Sequence, residues 1–241
     1  MKGYNIIKLI KNYNVNGQVH RVLYNINTNI ESDVITIILG RSGCGKTTFL
    51  RLLADLEEPT EGSIVFYNNN EIVKPKIGMV FQENRLFPWL TVRENLTFYL
   101  KKRNRQLEDK YLKLMKLEKF ADAYPKQLSG GMAQRVSIAR AIAYEPHIML
   151  MDEPFASLDY FTRYKLQEEI INLYTKTKKG IIFVTHNVDE AILLGHRIII
   201  LDKGNIVKDY KIECEYPRNV SSNNLAYIKE DILKTLFMED K

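Results

Sequence analysis

Hydrophobic and polar positions divide the chain into a strand-like start, a helical middle and a closing series in which strands and helices take turns. Asn5 to Lys11, Val19 to Tyr24 and Ile26 to Ile30 read as short strands, with the turn-rich stretch Asn12 to Gly17 between the first two, so an antiparallel β-layer is expected first. The continuous apolar run Val34 to Leu39 reads as a strand, followed by a helix that begins near Gly45 and runs to Ala54. Glu58-Pro59-Thr60-Glu61-Gly62 is a turn, Ser63 to Tyr67 a strand with the polar tip Asn68-Asn69-Asn70, and Lys76 to Phe81 another strand, ending at Gln82. From Thr91 to Tyr144 the period is helical: Thr91 with Glu94 makes a capping-box pattern that opens a helix to about Lys102, and Leu107, Tyr111, Leu114, Met115 and Leu117 outline an apolar face. Strands are then expected at His147 to Met151, Gly180 to Thr185 and Arg197 to Leu201, helices at Thr162 to Lys176 and Val188 to Leu194, and a hairpin through Asp202 to Asn205 into Ile206 to Tyr210. The tail from Lys211 has a polar section, Ser221 to Asn224, and a short helix from Ala226 to Phe237. This order predicts an α/β core with a largely parallel sheet, interrupted by a helical lobe, with its chemistry at the carboxyl ends of the strands.

Bulk properties change this picture little. A hydrophobic content of 45% over 241 residues is enough for a substantial core. The net charge of +6 comes from scattered cations, dense only at Lys101 to Arg105 and Lys176 to Lys179, where helices are expected to end, so no nucleic-acid partner is expected. Two cysteines make no disulfide framework, and Cys44 lies inside a glycine-rich loop, which points to a reducing compartment. Met1 to Tyr4 leads straight into a strand without an apolar signal core, and no apolar segment nears the ~20 residues of a membrane span, so membrane association is expected only through a partner.

The chemistry begins at Gly40-Arg41-Ser42-Gly43-Cys44-Gly45-Lys46-Thr47-Thr48, a phosphate loop between strand and helix. Gly40, Gly43 and Gly45 allow consecutive amide groups to turn inward as an anion nest, and the helix start adds its positive dipole end. Lys46 is placed to reach the β- and γ-phosphates of a nucleoside triphosphate, and the Thr47 hydroxyl to ligate Mg²⁺. Asp152 and Glu153 end a buried strand downstream, where Asp152 would hold Mg²⁺ and Glu153 would activate the attacking water. Gln82 could touch metal and water, and His186 the γ-phosphate, whereas His20, His147 and His196 read as structural. Tyr13 is a loop-edge aromatic or an adenine-stacking platform. Leu128-Ser129-Gly130-Gly131-Met132 supplies a second anion-binding helix start, with Ser129 as its cap.

With that second motif the chain resembles the ATP-binding cassette family, whose signature begins Leu-Ser-Gly-Gly. Gly40 to Thr48 matches its Walker A loop, Gln82 its Q-loop, Ile148 to Glu153 its Walker B strand, Ser157-Leu158-Asp159 its D-loop, His186 its switch histidine and Tyr13 its aromatic A-loop position, in order from about Ile6 to Tyr210. The resemblance implies a P-loop NTPase (RecA-like) core at about 1–87 and 146–210 with an N-terminal antiparallel β-layer, an inserted α-helical subdomain at about 88–145, and a short tail at 211–241. It implies ATP and Mg²⁺ as ligands, with catalysis by Glu153, His186 and Gln82, and metal contacts from Thr47, Gln82 and Asp152. It also implies a head-to-tail dimer with itself or a related subunit, in which Ser129, Gly130, Gly131 and Met132 reach the partner's ATP and Asp159 lies in the D-loop.

Val80 to Leu96 and Leu158 to Arg163 are similar to the nitrate, sulfonate and taurine import branch of the family. That implies a permease partner, an extracytoplasmic solute-binding protein met indirectly, and a peripheral place on the cytoplasmic face of the membrane. Phe87 to Leu90 are then expected in the lobe's own core or along a groove for a permease helix. Three positions depart from the family: Met132 for Gln, Asn187 for Asp after the switch histidine, and Asp55 for Gly after the first helix. A soluble cassette ATPase acting on nucleic acid or ribosomes is the alternative, but it commonly carries paired cassettes or coiled-coil insertions, and this chain has neither. A small-molecule kinase would leave Ser129 to Gly131 and His186 without a purpose.

Overall fold

The computed structural model describes residues 2–218 and 222–237; Ser221 of the polar section lies outside them. In chain order the elements are β1 (Gly3–Val15), β2 (Gln18–Glu31), β3 (Ile35–Leu39), α1 (Lys46–Leu53), β4 (Glu61–Asn68), β5 (Glu71–Ile72), β6 (Ile77–Val80), α2 (Val92–Thr97), α3 (Arg105–Leu114), α4 (Gly130–Ala143), β7 (Ile148–Asp152), α5 (Tyr160–Thr177), β8 (Gly180–Thr185), α6 (Val188–Leu194), β9 (Arg197–Asp202), β10 (Asn205–Lys211) and α7 (Asn223–Phe237). They fall into two compact units, Met1–Lys74 with Gly180–Lys241, and Pro75–Lys179.

In the first unit β1 is the spine of the antiparallel layer, ordered β2-β1-β4-β5. The expected turn at Asn12 to Gly17 is a correction: Asn12 to Val15 pair with Arg21 to Gln18, and only Asn16 and Gly17, both at positive φ, make the turn. Two further strands merge into one, because β2 continues through Asn25 at φ 54°. Asparagine tolerates this left-handed conformation, so a polar residue that resembles a chain break is only an irregularity. The second layer centres on β3, which pairs in parallel with β8 and β9, while β10 returns antiparallel on β9. All five residues of β3 and all six of β8 are buried, Thr36 and Thr185 included, as their largely apolar runs require of strands covered on both faces.

In the second unit β6 pairs in parallel with β7, and α2, α3 and α4 occupy the chain between them. Thr91 caps α2 with the expected box, its hydroxyl accepting from the Glu94 amide at 3.3 Å while Glu94 accepts from the Thr91 amide at 2.8 Å. The helix stops at Thr97 rather than near Lys102. Beyond it Phe98 and Tyr99 are drawn into an aromatic chain with Phe87 and Tyr144, in which the Tyr99 hydroxyl donates to the Ala143 carbonyl.

Candidate nucleotide site

The phosphate loop of the first unit is held by its own lysine and by the layers around it. The Lys46 ammonium, 4% exposed, donates to the Gly40 carbonyl at 3.0 Å and the Arg41 carbonyl at 2.8 Å. Gly45 caps α1 at φ 106°, and a β-carbon there would lie 2.9 Å from Leu23 of β2, so only glycine lets the helix start this close to the β-layer. The turn between β9 and β10 supports the loop, the Gly204 amide donating to the Cys44 carbonyl at 3.1 Å. Ser42, Gly43 and Thr47 are exposed at the loop's mouth, with Thr48 half-buried. Burial pushes the Cys44 thiol up, against the pull of Lys46, so it is a packed side chain and not a nucleophile. Arg41 points to the tail, donating to the Leu236 carbonyl of α7.

Two further expected groups stand in this unit. Leu39 and Thr185 are register partners on β3 and β8, so Gly40 and His186 leave neighbouring strand ends together. The loop carrying His186 is locked by groups the sequence reading missed: the Thr185 hydroxyl donates to the buried Glu190 at 2.6 Å and accepts from the Asn187 amide at 3.0 Å. Asn187 caps α6 by accepting from the amides of Asp189 and Glu190, as an aspartate there would, so this departure leaves the cap intact. Asp55 follows the cap of α1 at φ 56°, the left-handed position at which glycine usually ends a helix, and pairs with Lys74 at 2.8 Å. The Tyr13 phenol donates to Glu57, in the loop after α1. His196 accepts from the Ile35 amide at 3.1 Å, the structural role expected of it.

The other expected groups stand in the second unit. Val80 and Met151 are register partners on β6 and β7, so Gln82 and the Asp152-Glu153 pair emerge at the same sheet end. Asp152 is buried and Gln82 exposed. Glu153 sits at φ 41°, a left-handed conformation that costs a non-glycine residue about 1–3 kcal/mol and that the surrounding packing must impose. Nothing in the sequence marked this strain. His147 exchanges backbone and ring hydrogen bonds with Lys76, 2.7 and 2.8 Å, and is likewise structural.

Ser129 caps α4, its hydroxyl accepting from the Met132 amide at 3.3 Å, with Ser129 and Gly130 exposed and Met132 half-buried. Asp159 caps α5, accepting from the Thr162 amide at 3.0 Å. A β-carbon on Gly131 would lie 2.4 Å from Thr162 Cγ2, so α4 and α5 approach closely there. Gly131→Ala is therefore expected to lower the melting temperature by about 2–4 °C, the scale of ~1 kcal/mol in a chain of this size, with Thr162→Ser restoring it. An unchanged melting temperature in Gly131→Ala would show that the two helices can part freely.

The loop after Gln82 is also built. Asn95, fully buried, accepts from the Phe87 amide at 2.9 Å and donates to the carbonyls of Phe87, Leu90 and Thr91. Arg140 donates to the carbonyls of Asn84 and Arg85, and burial lowers its pKa. The clamp leaves Trp89 70% exposed, which excludes it from the lobe's core. Phe81, Arg85, Phe87, Phe98, Tyr99, Arg140 and Tyr144 line a groove of about 570 Å³ beside it.

For Mg²⁺ the donor set fits. No cluster of three or more His, Cys, Asp or Glu occurs among the described residues, and a magnesium ion held with phosphate oxygens and water needs only one or two protein carboxylates. Asp152, buried where β7 ends, is a carboxylate of that kind.

The ABC transporter family model matches residues 23–156. The chain is 42% identical over 221 residues to an aliphatic sulfonates import ATP-binding protein, SsuB, of Bacillus cereus, covering 89% of this chain and 88% of that protein. It is 43% identical over 246 residues to an uncharacterized ABC transporter ATP-binding protein, MJ0412, of Methanocaldococcus jannaschii, covering 95% and 92%. Among solved structures it resembles a dimeric, post-hydrolysis state of the ATP-binding cassette MJ0796 bound to ADP and Pi, with a TM-score of 0.76, 33% identity, and 88% and 100% of the two chains covered.

Proposed function

The chain belongs to the ABC transporter family as an ATP-binding, ATP-hydrolysing cassette, and we propose that it drives uptake of a small solute through a separate permease. The observation that carries this reading is the presence, in one chain, of two glycine-rich helix starts, the loop closed on Lys46 and the exposed cap at Ser129, both of which we read as phosphate-binding. A single bound nucleotide uses one of them. The second is accounted for by a nucleotide held by another copy of the chain or a related subunit, as in a head-to-tail dimer. The dimeric cassette it resembles and the import ATPases among its relatives favour this over an ATPase acting on nucleic acid. Sulfonate-like, nitrate-like or taurine-like solutes are the class proposed, delivered by an extracytoplasmic binding protein. No helix among the described residues is long and apolar enough to cross a membrane, so a place at the cytoplasmic face would come through the permease.

The roles follow from the chemistry of each group. The loop amides and Lys46 bind the phosphates, Tyr13 supplies a face for adenine, and Glu153 takes the proton of the attacking water. Gln82 and His186 orient water and γ-phosphate. Ser129, Gly130, Gly131 and Met132 serve the partner's nucleotide, with Asp159 beside them. Bound Mg²⁺, held by Thr47, Gln82 and Asp152, would neutralise charge on the β- and γ-phosphate oxygens.

Trp89 and the aromatic groove suit a short amphipathic helix of the permease, laid in by its apolar face. Trp89→Ala is expected to weaken assembly with the permease by about 2 kcal/mol, roughly 30-fold, the range of an interface tryptophan. Charge reversal at Glu83 or Arg85 should act in the same direction, while ATP affinity of the isolated subunit changes little. Copurification with the permease and solute uptake, measured on the same three variants, test this. Normal assembly and uptake in all three would move the contact elsewhere.

A further inference from the structure

Tyr13 lies near the end of a hairpin, on a strand whose register slips twice just before it, between Leu9 and Lys11 and between Lys11 and Asn12. A ring so placed needs anchoring if it is to meet a base at a fixed distance from the phosphate loop. The anchor is a cluster around Glu57, in the loop after α1. Glu57 accepts the Tyr13 phenol proton and pairs with Lys11 at 3.3 Å and Arg51 at 3.4 Å. Arg51 stands on α1, so its pair with Glu57 joins the cluster to that helix. The ring is thus tied to the helix whose start cradles phosphate.

Lys11 does more than pair with Glu57. Its ammonium donates to the Glu58 carbonyl at 2.8 Å and stands 4.9 Å from the centre of the Tyr13 ring. A cation so placed occupies one face of the ring. The ring is only half-buried, so the opposite face is the one a planar ligand would take, in stacking that is indifferent to the groups at the ligand's edge.

We propose that Glu57 and Lys11 are the positioning residues of the base site: Glu57 fixes the Tyr13 ring to α1 through its hydroxyl, and Lys11 covers one face so that adenine stacks on the other. This rests on the reading of Tyr13 as the adenine platform. The protonation states support it. Burial and Glu57 raise the Tyr13 phenol, so it remains a donor, and although burial opposes ionisation of Glu57, hydrogen bonds from Tyr13 and Lys11 hold its carboxyl below the usual range. One partner is therefore a fixed donor and the other a fixed acceptor at neutral pH.

The test compares ATP with inorganic tripolyphosphate, which has no base, by calorimetry on the full chain. Glu57→Ala is expected to weaken ATP about five-fold, the scale of one hydrogen bond, and to leave tripolyphosphate unchanged. Glu57→Gln, which keeps an acceptor for the phenol, should recover most of the loss, and Lys11→Met should cost about three-fold for ATP alone, the scale of an exposed cation–π contact. In a Tyr13→Ala background Glu57→Ala should add nothing, because its effect passes through the ring. Equal loss for both ligands, additivity with Tyr13→Ala, or no loss in Glu57→Ala while Tyr13→Ala weakens ATP would each overturn the assignment. Tyr13→Ala binding ATP like the parent would remove the platform itself, and the proposal with it.

Discussion

Glu153→Gln is expected to bind ATP about as tightly as the parent and to turn it over at least about a hundred-fold more slowly, the low end of what a positioned general base contributes. The substitution keeps size and hydrogen-bonding reach and removes only the capacity to take a proton, so ATP should accumulate on the protein. Single-turnover and binding measurements on one preparation check both halves. Glutamate at φ 41° is also a stability cost. Glu153→Gly should therefore lose turnover as fully while melting higher by a few degrees, because glycine adopts that conformation without strain.

Lys46→Ala is expected to fail one step earlier, at binding. Its ammonium is buried among the loop's own carbonyls, and charge-assisted hydrogen bonds to phosphate are worth about 1.5–3 kcal/mol. ATP affinity should fall about 10- to 150-fold. Lys46→Arg should not rescue it, because a planar guanidinium does not fit a loop built around a point charge. Fluorescence titration with a nucleotide analogue reads the loss directly, and unchanged affinity would remove Lys46 from the phosphate site.

What the sequence disclosed were the groups whose residue type is dictated by their own neighbours. The phosphate loop, the box at Thr91 and Glu94, the Ser129 cap and the buried runs of β3 and β8 each answer a local backbone demand, so each could be read from a few adjacent letters. The misread elements were those in which tertiary pairing overrode local chemistry. Asn12 and Asn14 belong to a strand because β2 pairs with them, and α2 ends early because Phe98 and Tyr99 join an aromatic chain. The supporting side chains were invisible for a related reason. Glu57 meets Tyr13 across 44 positions, and Arg140 meets Arg85 across 55, with no spacing to announce either contact. Asn95 passes for any helix polar residue until four of its hydrogen bonds are seen to close on one loop. The strain at Glu153 has no signature in residue type at all.

The composite nucleotide site is the claim on which the rest depends, and the mass of Glu153→Gln in solution tests it most directly. Light scattering should report the 28.1 kDa chain alone or with ADP and twice that mass with ATP and Mg²⁺. The added substitution Ser129→Arg, which blocks the second helix start, should return the mass to that of one chain while ATP remains bound. A protein that binds ATP and keeps the mass of one chain, or a dimer indifferent to Ser129→Arg, would contradict the account.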